Sequence, residues 1–404
     1  MRNKFYLFLA SFLVAAVALG VIGTVLASSE SNDAPVRKIV VFEKKFVNKE
    51  AKDELVRRTG GVKVKDLDLI DGMAVYLPSR AAEEALLNQA GVLRVDDDVV
   101  VEILARNVEA NRTVFQPLES LPWGIDRIDA DLAWSTTTGD PVKVAVVDTG
   151  IYLNHPDLAQ NIKGGYNAIN PTKSANDDNG HGSHVSGIIG ALDNEIGVIG
   201  VGPRIDLYAV KVLNRNGSGY LSDVIEGLDW AIQNKMQVVN MSLGTSSDIP
   251  SFRDAIQRVN AAGIIQVAAA GNNGGTVNYP AAYPEVIAVS AVDSNGQIPY
   301  WSSRGPEVDL TAPGVGIYST WKGGGYYKAS GTSMASPHVA GTAALVLTTS
   351  IITASGASYD LDGDGIWDPI EVKLKLQTTA EWLAGLTSGE QGAGLVDAEA
   401  AVAQ

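Results

Sequence analysis

No cysteine occurs among the 404 residues. Disulfides are therefore excluded, and a chain working outside the cell needs another support, of which bound metal is one. Basic residues are in deficit: 31 Lys and Arg stand against 46 Asp and Glu, a net charge of −15. That balance argues against a nucleic-acid partner, because phosphate binding needs a basic face, and it suits divalent cations. Histidine is scarce, with only His155, His181, His184 and His338. Long apolar runs are scarcer still. The single one, residues 5–26, follows Arg2 and Lys4 and precedes Ala27-Ser28-Ser29. It reads as an export signal over 1–27, although its length would also serve as an N-terminal membrane anchor. The expected location is extracellular.

What is present describes a globular protein, 46% apolar and 19% charged, with 42 glycines for tight turns. The length suits one large domain and a smaller one. Residues 36–104 alternate strand and helix patterns in the order β-α-β-β-α-β: "KIVVF", a helix over 48–58, "VKV", "GMAVYLP", a helix over 79–89 and "GVLRVDDD". That order predicts a small ferredoxin-like α+β unit. Residues 105–121 lack periodicity and read as a linker. From 122 to 404 the texture changes. "VKVAVV", "IDLYAVKVL", "QVVNMSL", "IIQVAAA" and "VIAVSAV" are continuously apolar, as strands buried on both faces are. Helical patterns at 221–234 and 251–262 lie between them. The expected fold is α/β, a mostly parallel central sheet with helices on both faces and ligands at the carboxyl ends of its strands.

Residues 359–371, "YDLDGDGIWDPIE", carry a calcium-loop pattern. Asp360, Asp362, Asp364, Asp368 and Glu371 stand at ligand positions one, three, five, nine and twelve of an EF-hand loop. The Ile366 carbonyl stands at seven, and Gly365 at the turn position six. A sensor would want paired loops and a helix able to open. A single loop inside a larger domain reads instead as a stabilising clip.

Three further segments bear on chemistry. "VKVAVVDTGI" is a buried strand delivering Asp148 at its carboxyl end. "NGHGSHVSG" opens an apolar helix near His181, and "SGTSMASPHVAG" places Ser333 at the start of a long one. A serine nucleophile needs a base in contact with its hydroxyl and a carboxylate to orient that base. A helix start adds free N–H groups for a developing oxyanion. Scarcity alone does not choose among the four histidines.

These segments resemble the Asp, His and Ser signatures of the subtilisin family of serine endopeptidases, in that family's chain order, over residues 122–404. The resemblance implies Asp148 as orienter, His181 as base, His184 as a structural histidine and Ser333 as nucleophile. "VAAAGNNGG" resembles the oxyanion segment, with Asn272 as side-chain donor. "NMSLGT" and "NGSGYLSD" resemble the two substrate edges, giving Ser242, Leu243 and Gly244 on one and Ser218 and Gly219 on the other. Asn273 and Asn278 fall near the pocket rim and floor, so broad specificity without a strong charge preference is implied, on protein and peptide substrates. The loop 274–278 is shorter than in many family members. Residues 36–104 resemble the family's propeptide, an intramolecular chaperone and inhibitor. Matching the tail "VDDDVVVEIL" places self-cleavage between Leu104 and Ala105, releasing a monomeric mature form. "HPDL" and "ALDNEIGVIGV" resemble the family's calcium site: Asp157 and Asn194 side chains, Leu192, Ile196 and Val198 carbonyls, and Glu119 from the N-terminal side. With 360–371 that makes at least two structural Ca2+ sites.

A catalytically silent, calcium-dependent binding protein on the same fold is the alternative. The complete set Asp148, His181, Asn272 and Ser333 speaks against it. Related acid peptidases replace the histidine base with glutamate, and lipase-like hydrolases want Gly-x-Ser-x-Gly and the order Ser, Asp, His. Neither pattern occurs here.

Overall fold

The computed structural model describes residues 34–45, 48–109, 116–352 and 358–403. The expected export signal lies outside them. Among the described residues no helix is long and apolar enough to cross a membrane.

The N-terminal unit runs β1 (Val36–Phe42), α1 (Lys49–Arg58), β2 (Val62–Leu67), β3 (Gly72–Leu77), α2 (Arg80–Leu87) and β4 (Val92–Asp97). Its four strands form an antiparallel sheet in the order β2-β3-β1-β4, the ferredoxin-like arrangement. β2 extends past the expected "VKV" to Leu67. Both helices begin one residue later than the apolar pattern suggested, because Asn48 and Ser79 stand outside as caps, accepting from the Ala51 and Ala82 N–H groups. "KIVVF" is continuously apolar for a reason visible in the packing. Val40 and Phe42 face the unit's own core with Val56, Met73 and Leu86. Ile39 and Val41, on the opposite face of the pleat, join the core of the large domain.

β5 (Val100–Ile103) follows, and then β6 (Arg106–Glu109). β6 lies within 105–121, the segment read as a linker or mature N-terminal extension, and pairs antiparallel with a strand more than two hundred residues away.

The large domain continues with α3 (Trp123–Arg127), α4 (Ala130–Ala133), β7 (Lys143–Asp148), β8 (Ile162–Asn167), α5 (His181–Gly190), β9 (Asp206–Lys211), β10 (Ser218–Tyr220), α6 (Leu221–Gln233), β11 (Val238–Met241), β12 (Leu243–Gly244), α7 (Pro250–Ala261), β13 (Ile265–Ala269), β14 (Ile287–Val292), β15 (Leu310–Pro313), β16 (Ile317–Trp321), β17 (Gly325–Ser330), α8 (Thr332–Val346) and α9 (Pro369–Thr378). Seven of these strands make the central sheet in the order β15-β14-β13-β11-β7-β9-β8, every neighbouring pair parallel. α5 and α8 cover one face and α6 and α7 the other. The strand order reverses beside β7, so that its carboxyl end opens into a crevice, the usual place for a site in such sheets.

Two glycines set the approach of α5 to β7. Gly180 precedes the helix with φ +119°, a conformation that L side chains rarely adopt. At Gly182 an added Cβ would lie 2.1 Å from the Gly150 carbonyl oxygen and 3.2 Å from Asp148, so the helix rests directly on the turn after β7. Gly182→Ala should therefore lower the unfolding free energy by about 1–3 kcal/mol, read as a lower urea midpoint at unchanged slope. An unchanged midpoint would show that α5 is not anchored there.

Candidate active site

Asp148 ends β7 and His181 begins α5, both almost fully buried. His181 Nδ1 lies 2.8 and 2.9 Å from the two Asp148 carboxylate oxygens, and the Thr149 N–H holds Oδ1 of that carboxylate at 2.7 Å. His181 Nε2 is buried and has no hydrogen-bond partner. It is therefore a ring nitrogen free to take a proton, backed by a carboxylate on the other side of the imidazole.

Ser333 is the second residue of α8 and is completely buried. Its hydroxyl donates to the Ser242 carbonyl at 2.9 Å, and the Ser242 hydroxyl donates back to the Ser333 carbonyl at 2.9 Å. Attack on a carbonyl would need the Ser333 hydroxyl to turn from Ser242 toward His181 Nε2. The other histidines are otherwise engaged. His184 Nε2 lies 3.0 and 3.1 Å from the Ile317 and Tyr327 carbonyls, and burial pushes its imidazole down to about 3. His338 Nδ1 meets the Met334 carbonyl, with burial pushing it down to about 4. His155 Nε2 meets the Gly325 carbonyl at 3.0 Å.

What covers the site is the chain itself. β5 lies between β10 and β12, antiparallel to both, a three-stranded sheet made by an extended segment and two edges. The Ile103 N–H donates to the Gly217 carbonyl at 2.9 Å and the Leu104 N–H to the Ser242 carbonyl at 3.2 Å. The Leu104 carbonyl oxygen accepts from the Ser333 N–H at 3.2 Å and from the Asn272 side-chain amide. Asn272 is aimed by Thr332, whose N–H and hydroxyl both donate to Asn272 Oδ1, at 2.9 and 3.0 Å. That leaves the amide N–H to face Leu104. The sequence reading passed over Thr332, although it stands beside Ser333 at the same helix start.

Ser218 and Gly219 pair with β5 from one side and Leu243 and Gly244 from the other. The Leu104 side chain lies over Gly244, where an added Cβ would come within 3.0 Å of Leu104 Cδ1 and 3.3 Å of Asn278 Cβ. Asn278 is half-buried at this pocket. Asn273 is exposed, and its Oδ1 accepts from the Ser303 hydroxyl at 2.9 Å. The pocket is polar in part and carries no charge from these residues.

Two oxygen-rich loops could hold metal. At the first, Asp157 is fully buried and accepts from the Val198 N–H (3.0 Å) and the Asn194 amide (2.9 Å). Burial pushes its carboxyl up to about 7, which marks a carboxylate short of positive charge. Residues 117–120 pair with 195–198 through the Pro117, Glu195 and Gly197 backbone groups. The Leu192, Ile196 and Val198 carbonyls take no part in that pairing, and the Asp157 and Asn194 side chains share the same loop. Glu119 Oε1 accepts from the Asn194 N–H at 2.6 Å and so joins the loop from the N-terminal side. Gln116 was missed by the sequence reading. Its Oε1 accepts from the Tyr326 hydroxyl, which stands beside Asp157. The donor set fits a hard cation.

At the second loop, Asp360, Asp362 and Asp364 bring one oxygen each to within 4.8 Å of one another. Gly363 and Gly365 turn the chain with φ +82° and +76°. Glu371 is buried, and its two oxygens accept from the Leu361 (2.6 Å) and Asp368 (2.9 Å) N–H groups, tying the loop to α9. Asp368 caps that helix, and Ile366 is exposed between them. This donor set fits a hard cation as well.

Comparison with known proteins agrees with this fold. The subtilase family profile matches residues 139–394. A thermostable alkaline protease of Halalkalibacterium halodurans is 49% identical over 264 residues, covering 65% of this chain and 71% of that protein. Subtilisin E of Bacillus subtilis is 40% identical over 357 residues, covering 87% of this chain and 85% of its own. The M-protease of Shouchella clausii is 39% identical over 349 residues, covering 84% and 87%. This chain belongs to the subtilase family and is a serine endopeptidase, acting on protein and peptide substrates.

Proposed function

We propose that the chain is the precursor of an exported, calcium-stabilised endopeptidase of broad specificity that cuts itself between Leu104 and Ala105. The observation that carries this reading is the Leu104 carbonyl, held by the Asn272 amide and the Ser333 N–H. A carbonyl polarised by two donors beside a serine hydroxyl is the ground state of acyl transfer.

In this reading His181 Nε2 takes the Ser333 proton as the oxygen adds to the Leu104 carbonyl carbon. Asp148 holds the imidazole and balances the imidazolium that forms. The oxyanion draws on the same two donors. His181 then returns the proton to the Ala105 nitrogen as the peptide bond breaks, and water hydrolyses the acyl-enzyme by the same route. Residues 36–104 act as chaperone and inhibitor. Support comes from Asp98, which accepts from the Ser222 N–H (2.8 Å) and hydroxyl (2.7 Å) at the start of α6, and from Asp96, which accepts from the Ser251 N–H (3.0 Å) at the start of α7. The N-terminal unit thus closes two helix ends of the large domain that would otherwise face water. Peptide substrates would take the place of β5, bound mainly through backbone groups, which explains a broad sequence tolerance.

Calcium is assigned to two loops. Glu119, Asp157 and Asn194, with the Leu192, Ile196 and Val198 carbonyls and Gln116 beside them, would hold one ion. Asp360, Asp362, Asp364, Asp368, Glu371 and the Ile366 carbonyl would hold the other. The ions supply positive charge that ties loops together in a chain without disulfides.

Ser333→Ala should fail to react with a fluorophosphonate probe and should accumulate as the uncut chain, whereas N-terminal sequencing of the processed wild type should begin at Ala105. Equal labelling of both proteins, or a mature start near residue 122, would overturn the assignment.

Calcium removal has a definite pH signature. The Asp157 carboxyl is raised above its ordinary value. The stability it contributes in metal-free protein is therefore complete below about pH 4 and is lost as pH rises through about 7. A bound cation cancels that loss. The rise in unfolding midpoint on adding calcium should therefore be larger at pH 8 than at pH 5, and Asp157→Asn should flatten the difference. A calcium effect of equal size at both pH values would contradict the assignment of this loop.

A further inference from the structure

Asp177 lies in the turn just before α5 and is 3% exposed. Its carboxylate accepts five hydrogen bonds. Oδ1 takes the Thr149 hydroxyl and the Asn179 and Gly180 N–H groups, each at 2.9 Å, and Oδ2 takes the Ser183 N–H at 3.0 Å and the Ser183 hydroxyl at 2.6 Å. Two segments meet on this one side chain. Thr149 directly follows Asp148, and its N–H holds the Asp148 carboxylate. Gly180 precedes α5, which begins at His181, and Ser183 lies in its first turn.

The single proton of the Thr149 hydroxyl goes to Asp177. A lone pair is then left for the Gly182 N–H, 2.9 Å away. Asp177 thereby sets the direction of the hydroxyl that links the turn carrying the orienting carboxylate to the helix carrying the base. It also replaces a missing cap. Gly180, at the N-cap position, has no side chain, and the Ser183 N–H is satisfied by Asp177 instead.

We propose that Asp177 is a positioning residue for catalysis, holding His181 in register with Asp148 through Thr149 and the first turn of α5. The proposal rests on the reading of His181 as the base. Nothing in the local pattern of the chemistry-bearing segments named it, because the N-cap position itself is Gly180.

The electrostatics act in the same direction. The N-terminus of α5 carries partial positive charge, which disfavours an imidazolium at its first residue. The Asp177 carboxylate, bonded to those same N–H groups, opposes that field. The other groups around His181 do not duplicate it. Asp148 comes from β7. Asp178 in the turn is paired with Lys211 of β9 at 2.7 Å, and Lys211 also donates to the Thr149 and Leu213 carbonyls. Lys322, just beyond β16, donates to the Asp178 carbonyl. Burial keeps His184 of α5 and His338 of α8 neutral. β16 itself carries no charged side chain.

The test uses the processed, calcium-loaded enzyme with Asp177→Asn, Thr149→Val and Thr149→Ser, and the full-length His181→Ala chain, whose turnover is read as self-cleavage. Asparagine keeps the shape of Asp177 and loses its charge and part of its acceptor capacity. Asp177→Asn should lower kcat about 10- to 100-fold with KM nearly unchanged, and should move the acid limb of the kcat/KM profile to lower pH by about half to one unit. Thr149→Val should lower kcat without moving that limb, because the charge is kept, and Thr149→Ser should restore it. Wild-type kcat and an unmoved acid limb in Asp177→Asn, or a loss confined to thermal stability, would overturn the proposal. If Asp177→Asn does not fold, equal kcat in Thr149→Val and Thr149→Ser overturns it. Turnover retained by His181→Ala would instead remove the reading on which it rests, whatever Asp177 does.

Discussion

The grip on one carbonyl oxygen organises this molecule. Asn272 and the Ser333 N–H can meet the Leu104 carbonyl only if β13 ends where α8 begins and an extended segment lies across them. The parallel sheet supplies the first condition, since the turn after β13 and the N-terminus of α8 both face its carboxyl-end rim. β10 and β12 supply the second by pairing with β5 from both sides. Side-chain direction is then refined locally. Thr332 occupies Asn272 Oδ1 with two donors and leaves the amide N–H pointing at Leu104. Each of these contacts is modest alone, but together they fix a peptide carbonyl against a serine.

The N-terminal unit and the large domain share a physical problem and solve it jointly. A small four-stranded sheet with two helices buries only one face against itself, and a unit of that size is marginal on its own. Ile39, Val41, Leu67 and Ile70 are buried instead with Val224, Leu228 and Phe252 of the large domain. In return Asp96 and Asp98 satisfy the amino ends of α7 and α6. Around them Arg37 pairs with Asp98, and Lys65 with Asp223 and Glu226. The segment that follows this unit, β5, lies in the cleft between β10 and β12.

Much of this was legible in the sequence. The continuous apolar strands announced a parallel sheet, and the end of one announced Asp148; the oxyanion segment came only with the family resemblance. The glycine-led helix starts drew attention to His181 and Ser333. The spacing 360–371 announced a carboxylate loop, which the fold closes through Glu371. What stayed hidden depends on partners distant in sequence. The aspartates that end "GVLRVDDD" carry no sign of their partners, yet Asp98 meets Ser222 across 124 positions. The strand that pairs with β6 lies more than two hundred positions away, beyond the reach of any local pattern. Gln116 and Thr332 are ordinary polar residues until Tyr326 and Asn272 are placed beside them. Asp177 looked like one of the two aspartates before "NGHGSH", and only its burial and five donors set it apart.

The central claim is that segment 100–104 lies in the cleft as a substrate, with its last carbonyl on the oxyanion donors. Diffraction from crystals of the intact Ser333→Ala chain tests it most directly. The account requires the Leu104 oxygen within hydrogen-bonding distance of both the Asn272 amide and the residue-333 N–H, with β5 paired between β10 and β12. An empty cleft with 100–104 docked elsewhere, or another residue's carbonyl on those two donors, would contradict it.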